Sequence, residues 1–334
     1  MTRQVLGLDI GGANLKAAHS DGTAYSQPFA LWKNPSGLAA KLRKLLDQFG
    51  SLDLLVVTMT GELCDCYETK RQGVVAILDA VAEAARGIPT TIWCHKGGFI
   101  TPEVARKSPR EAAAANWLGL ATFAGRFAAS GPAIMIDIGS TTTDMVPLLD
   151  GHPVPEGRTD FQRLQWQELV YTGIRRTPLC ALLGGAAAAE WFATTLDVYL
   201  ALGRLPEDPT DCDTADGRPA TRSFAHARLA RMFCGDGETA TAAESRGIAL
   251  QAGKQQTTLL RSALETVSGR LPAPPATLVL AGSGEFLAKD VIGTMPAMST
   301  ARVVSLAEEL GAEVSRAACA YALAILAAEG NHVL

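Results

Sequence analysis

One pattern occurs twice in this chain and limits its fold more than any other feature: an apolar run reaches an Asp, turns through Gly and polar residues, then resumes as a second apolar run. The later copy spans Met135 to Leu148, with Asp137 near the end of the first run, Gly139 opening the turn, and Ser140, Thr141, Thr142 and Thr143 supplying hydroxyls. The earlier copy spans Val5 to Ala18, with Asp9, Gly11 and Gly12 in the same places, and Asn14 and Lys16 entering the second run. Each copy predicts two strands joined by a tight turn, where Gly permits torsions and close approach that other residues resist. Turn amides and hydroxyls of this kind converge on phosphate oxygens, and an adjacent Asp can hold a hydrated magnesium ion. The pair therefore predicts the two jaws of a phosphate clamp. Gly11, Gly12, Asn14, Lys16, Gly139, Ser140, Thr141 and Thr142 are the phosphate-side candidates, and Asp9 and Asp137 the metal-side ones.

A third element, Thr277 to Leu287, reads as a strand ending in the turn Gly282-Ser283-Gly284 and entering a helix. Helical spacing is predicted over 35–49, 73–86, 224–233 and 240–267. It also predicts one long Ala-rich helix over 109–129, a run of strong helix formers, and an apolar helix from Gly311 onward. Strands are expected over 52–59 and 90–94, with 95–100 as a loop. Ser130-Gly131-Pro132 marks a boundary between a first domain, 1–130, and a second, 131–310. A polar, Pro-rich insert over 204–223 reads as a solvated loop or lid, and the helix within 311–334 is expected to pack back on the first domain.

Three further groups are candidates on the substrate side. Glu62 and Asp65 follow a predicted strand end, where open α/β sheets place their ligand sites, and Lys70 lies close behind. The spacing equally allows Glu62 to cap the next helix. Tyr171 and Arg175 stand in a short stretch with Arg176 and Thr177, suited to an aromatic substrate and to carboxylate or phosphate oxygens; a surface ion pair and a core Tyr fit as well. Asp208, Asp211, Asp213 and Asp216 lack the loop pattern of an EF-hand.

Composition excludes several classes. With 334 residues, 48% hydrophobic and 19% charged, the chain can bury two domain cores. Its net charge of −4 provides no general pull toward nucleic acid or an anionic membrane surface. Asp9 interrupts the N-terminal apolar run and no later stretch would span a bilayer, so a cytoplasmic protein is expected. The 7 cysteines form no Cys-x-x-Cys pair and no Cys/His zinc spacing, and read as buried or incidental thiols. P-loop, dinucleotide-binding, zinc-hydrolase and serine-hydrolase motifs are absent.

The paired Asp-Gly turns and the Gly-x-Gly strand, in this order, resemble the phosphate and adenosine motifs of the actin, sugar kinase and heat-shock chaperone ATPase superfamily (ASKHA). The resemblance implies an α/β, two-domain, actin-like ATPase (ribonuclease H-like) fold with a duplicated mixed-sheet domain and a cleft between the halves. The segments Thr58-Met-Thr-Gly-Glu-Leu63, Tyr171-Thr-Gly-Ile-Arg-Arg-Thr-Pro178 and Ala215-Asp-Gly-Arg-Pro219 narrow it further. With them the chain is similar to the hydantoinase/oxoprolinase-like family of the tetrahydromethanopterin-linked C1-transfer pathway.

That resemblance implies a magnesium-dependent transferase of methanofuran biosynthesis. It would condense an aminomethylfuran-methyl diphosphate with the phenol of γ-glutamyltyramine or a related tyramine acceptor. Asp9 and Asp137 would position magnesium, Glu62 or Asp65 would accept the phenol proton, and Lys70, Tyr171 and Arg175 would contact substrate. The same clamp would serve ATP in a small-molecule kinase or an oxoprolinase/hydantoinase-type hydrolase, with Gly282, Ser283 and Gly284 against the nucleotide. A non-enzymatic nucleotide-binding regulator is a further alternative. Nothing in the residues decides between a monomer and a dimer.

Overall fold

A computed structural model describes residues 3–330. Val5–Ile10 (β1), Asn14–His19 (β2), Ala24–Pro28 (β3), Leu54–Met59 (β4), Thr90–Cys94 (β5) and Gly98–Ile100 (β6) form one six-stranded sheet in the order β3-β2-β1-β4-β5-β6. The pairs β1/β4 and β4/β5 are parallel, the others antiparallel. Pro132–Ile138 (β7), Thr143–Leu149 (β8), His152–Pro153 (β9), Leu169–Val170 (β10), Thr277–Ala281 (β11) and Arg302–Ser305 (β12) form the second, in the order β10-β8-β7-β11-β12, with β9 added to β8. Each sheet is thus a hairpin meander continued by parallel strands, a mixed-sheet unit present twice. The strands β1, β4 and most of β7 are buried and read as apolar runs, as interior strands covered on both faces must.

The helices Asn116–Ala124 and Ala318–Ala328 lie between the sheets. One continuous core contains Val5 and Val56 of the first sheet, Met135, Val146 and Val279 of the second, and Trp117, Leu120 and Leu323 of these helices. The approach to β1 is as close as backbone permits: a Cβ on Gly7 would stand 1.9 Å from the Ala320 carbonyl oxygen. Separate cores fill the outer faces. One gathers Leu8, Leu42, Ile77 and Val81, the other Ile136, Leu229, Leu260 and Leu264.

Several expected elements differ. The long Ala-rich helix is broken into Pro109–Ala112 and Asn116–Ala124. Ala113 forms a parallel bridge with Met59, the Ala114 amide donates to the Met59 carbonyl, and Ala114 takes a left-handed φ of 49°. Small side chains let the chain run alongside the end of β4, so tertiary pairing outweighs helix propensity. The expected loop 95–100 contains the strand β6. The terminal helix is split at Ala317 into Ala312–Arg316 and Ala318–Ala328, and its expected residues 331–334 lie outside the described residues.

The polar insert is largely exposed, as expected of a solvated loop, and is also tied down. Its ends pair through Asp208 and Ala220, Asp211 is bound by Arg175, and Asp216 is bound by both Arg228 and Arg231. Among the described residues no helix is long and apolar enough to cross a membrane.

Candidate active site

The two hairpins close in the same way. The Gly11 amide donates to the Asn14 carbonyl at 3.0 Å, and the Gly139 amide to the Thr142 carbonyl at 2.9 Å. In the ladders, Asp9 stands opposite Lys16 and Asp137 opposite Asp144. Asp9 also lies beside Thr58 on β4. Asp9 is 5% exposed; its Oδ1 and the Thr58 Oγ1 are buried without a hydrogen-bond partner. Asp137 and Lys16 are partly buried. Cys319, from the central helix Ala318–Ala328, brings its Sγ 4.0 Å from Asp137 Oδ2 and accepts from Asn116 Nδ2 at 3.7 Å.

These groups sense one another. Burial pushes the Asp137 carboxyl up to about 7, opposed by Lys16 and reinforced by Asp144 and Asp9. Burial likewise raises Asp9, against the pull of Lys16. For Lys16 burial works against the charge, but Asp9, Cys319, Asp137 and Asp144 outweigh it and hold the ammonium above its ordinary value. Burial keeps Cys319 a neutral thiol. Lys16 is therefore a cation held charged by the acidic groups around it.

The Gly-x-Gly turn braces this centre. Gly282 has φ +84°, and a Cβ there would fall 2.3 Å from Asp137 Oδ1; the Gly284 amide donates to the Ile138 carbonyl at 2.9 Å. Ser283 is exposed. Gly173 plays a similar part behind the second loop, where a Cβ would lie 2.5 Å from the Gly139 carbonyl and 2.6 Å from the Thr141 nitrogen.

Beyond the end of β4, next to the Gly11 turn, the two candidate acids separate. Asp65 is exposed, whereas Glu62 is 1% exposed with its Oε2 buried and unpartnered. Glu62 does not cap the following helix: Thr69 does, accepting from the Gln72 amide. Burial raises Glu62 to about 7, tempered by its own backbone amide and by Lys70, and reinforced by Asp160. Lys70 Nζ lies 3.8 Å from Glu62 Oε1 and 3.4 Å from Asp160 Oδ2, so it joins the first sheet's helix to a segment of the second half. Tyr171 is 67% exposed. The Arg175 guanidinium is held by Asp211 at 2.7 and 2.9 Å and by the Asp213 carbonyl at 2.9 Å, which leaves it committed to the polar insert.

Four neighbours escape a reading of the sequence. Arg163, 1% exposed, pairs with Asp144 at 2.8 Å, donates to the Glu168 carbonyl, and lies 3.9 Å from the centre of the Trp117 ring. His95 bonds the Ala113 carbonyl through Nε2 at 2.6 Å, which assigns the proton to Nε2; burial lowers its pKa, so the ring is neutral. Asp160 completes the set with Trp117. The one local signal was Thr159-x-x-Gln162, a capping box that starts the helix Asp160–Gln165 and so places Asp160 and Arg163 on neighbouring turns.

A family model described as hydantoinase/oxoprolinase matches residues 53–328. The chain belongs to the hydantoinase/oxoprolinase family. Within this family it is 33% identical over 337 residues to the (4-{4-[2-(gamma-L-glutamylamino)ethyl]phenoxymethyl}furan-2-yl)methanamine synthase of Methanocaldococcus jannaschii, covering 98% of both chains. The synthase of the same name from Methanococcus vannielii is 32% identical over 201 residues, 58% of this chain and 89% of that one. Among solved structures, the PilM-PilN type IV pilus biogenesis complex aligns with a TM-score of 0.51 at 14% identity over 97% of this chain and 98% of that one. That likeness concerns the fold alone. This hydantoinase/oxoprolinase family member has the actin-like, two-sheet architecture.

Proposed function

We propose that this protein is a transferase of methanofuran-type cofactor synthesis that joins an aminomethylfuran-methyl diphosphate to the phenol of γ-glutamyltyramine or a related tyramine. The observation that carries this reading is the 33% identity to a synthase over 98% of both chains. That synthase's name describes a product in which a phenoxymethyl ether joins a furan methanamine to a glutamylaminoethyl arm.

In this reading the amide of Gly12 and the hydroxyls of Ser140, Thr141 and Thr142 receive the diphosphate oxygens, with Lys16 supplying charge, while the Gly11 and Gly139 amides are spent in closing their turns on the Asn14 and Thr142 carbonyls. Asp9 and Asp137 suit magnesium: they offer only oxygen, Asp9 Oδ1 has no partner, and the ion ordinarily completes its shell with water and substrate phosphate. Bound there, magnesium would neutralise charge on the departing diphosphate. The furfuryl carbon–oxygen bond breaks with its electron pair leaving on diphosphate, and the phenol oxygen forms the new bond to that carbon. The phenol proton goes to Glu62. A phenol of pKa ~10 holds its proton at neutral pH, and a buried carboxylate titrating at about 7 is a better-matched base than an ordinary Glu.

The test is incubation of purified protein with magnesium, the furan diphosphate and γ-glutamyltyramine, without ATP, following diphosphate and coupled product by mass spectrometry. Product formation supports the transferase. No product, together with ATP turnover or tight ATP binding, would assign the clamp to a kinase or hydrolase instead.

A further inference from the structure

Glu62 belongs to the first half of the molecule and the Asp137 jaw of the phosphate clamp to the second, yet a continuous line of contacts joins them. It begins at Asp144, the ladder partner of Asp137 on β8. Asp144 binds Arg163 at 2.8 Å, and Arg163 is locked by Trp117 beneath it and by the Glu168 carbonyl. Arg163 shares its short helix with Asp160, and the Thr159/Gln162 capping box fixes the first turn of that helix. The segment before it is pinned as well: Glu168 is buried and accepts from the Glu156 and Gly157 amides at 2.8 and 3.0 Å. Asp160 then reaches across the cleft to Lys70, and Lys70 faces Glu62.

We propose that Asp160 is a positioning residue for the reaction: by holding Lys70 across the cleft, it keeps that ammonium from closing fully on Glu62 and leaves the Glu62 carboxylate free to accept the phenol proton. The inference rests on the transferase reading given above. Its physical basis is competition. Lys70 lies closer to Asp160 than to Glu62, 3.4 against 3.8 Å, and an ammonium shared between two carboxylates screens each less than it would one alone. The other charged or titratable groups that interact with Glu62 or with this pair are Asp9 on β1, His95 beyond β5, Cys64 in the loop after β4, and Asp144 on β8. Because Asp160 is anchored through Arg163 to the hairpin that carries Asp137, the base is set by the same element that receives the leaving group.

The test compares Asp160→Asn, Asp160→Glu and Lys70→Met with the wild type by two readouts. The first is the pH profile of kcat for the coupling reaction. The second is carboxyl carbon NMR titration of protein labelled at Glu, with Glu62→Gln identifying the Glu62 signal. Asp160→Asn releases Lys70 to Glu62, so the acid limb and the Glu62 titration move down by about one pH unit, and the plateau rate above that limb falls because the base is weaker. Lys70→Met moves both up. Asp160→Glu restores wild-type behaviour.

Opposite shifts from two variants that remove the same ion pair are not the result of general destabilisation. Unmoved Glu62 titrations in both variants, or shifts of the same sign, overturn the proposal. If Glu62→Gln retains full coupling activity, the assignment of Glu62 as base fails instead, and the NMR titrations still decide whether Asp160 governs the Lys70–Glu62 contact.

Discussion

Lys16 and Asp144 occupy equivalent places in the two hairpins, each directly across the ladder from a strand-end aspartate, and they carry opposite charges. The duplicated unit is symmetric in backbone and asymmetric in chemistry. Lys16 lies among carboxylates and serves them as counter-ion, whereas Asp144 pairs with the buried Arg163. One jaw is thus built to present positive charge, and the other to be fixed in place.

The first prediction follows from that asymmetry. Asp137→Asn removes a charge that burial disfavours while keeping its shape. Thermal stability of the unliganded variant is expected to equal or exceed that of the wild type, while kcat falls about 10²–10³-fold through loss of electrostatic stabilisation. Differential scanning calorimetry beside a product assay checks both. A variant that loses activity only in proportion to unfolded protein would remove Asp137 from the site.

Stability should also depend on pH. In the folded chain Asp137 and Glu62 titrate at about 7, against ordinary values of 3.8 and 4.5. Between those limits the native state binds more protons than the unfolded one, so these groups stabilise most at acid pH and that contribution is lost as pH rises toward 7. Midpoints of thermal unfolding should therefore fall across this window more steeply in the wild type than in an Asp137→Asn, Glu62→Gln double variant. Equal slopes would show that neither carboxyl is perturbed.

Two glycines provide a matched pair for testing the brace behind Asp137. Gly22 and Gly282 both have positive φ, 96° and 84°, but a Cβ on Gly22 meets nothing within 4 Å while one on Gly282 meets Asp137 Oδ1. Each Ala substitution carries a backbone cost of about 1–2 kcal/mol. Only Gly282→Ala should also abolish diphosphate-dependent stabilisation in the presence of magnesium, measured by thermal shift. Equal ligand responses in the two variants would show that the turn does not position the carboxylate.

For Glu62→Gln the expectation is kinetic. General-base contributions run to about 10²–10⁴-fold, so kcat should fall within that range and lose its acid limb, with KM for the diphosphate substrate little changed. A large rise in KM alone would make Glu62 a binding group.

The doubled turns were readable because both jaws are local: Asp, Gly and hydroxyls lie within a few residues, and an apolar run ending in Asp has few other structural uses. Glu62 was readable as a strand-end acid, but its separation from Asp65 was not, since burial depends on the helix Lys70–Ala85 packing onto the Glu62 backbone, where Gly73 leaves room for it. The broken Ala helix could not be read locally either, because what breaks it is Met59, far away in sequence. His95, Trp117 and the helix that carries Asp160 and Arg163 come from three separate segments that meet only in the folded chain, and only the capping box ahead of Asp160 left a trace. Arg175 shows the converse: a fork suited to substrate anions is taken up by the acids of the polar insert, a pairing that no spacing rule connects.

The central layer has a bearing on how the molecule is made. Helix Ala318–Ala328 is translated after both sheets, yet it fills the core between them and lies against β1, the earliest of the described strands. Until it arrives, the inner faces of both halves are apolar and covered only in part, by the helix Asn116–Ala124, a condition in which nascent chains are prone to associate. Neither half can finish folding on the ribosome ahead of the other. Maturation of the enzyme thus becomes a single late event, and the interval before it is when a chaperone would matter most.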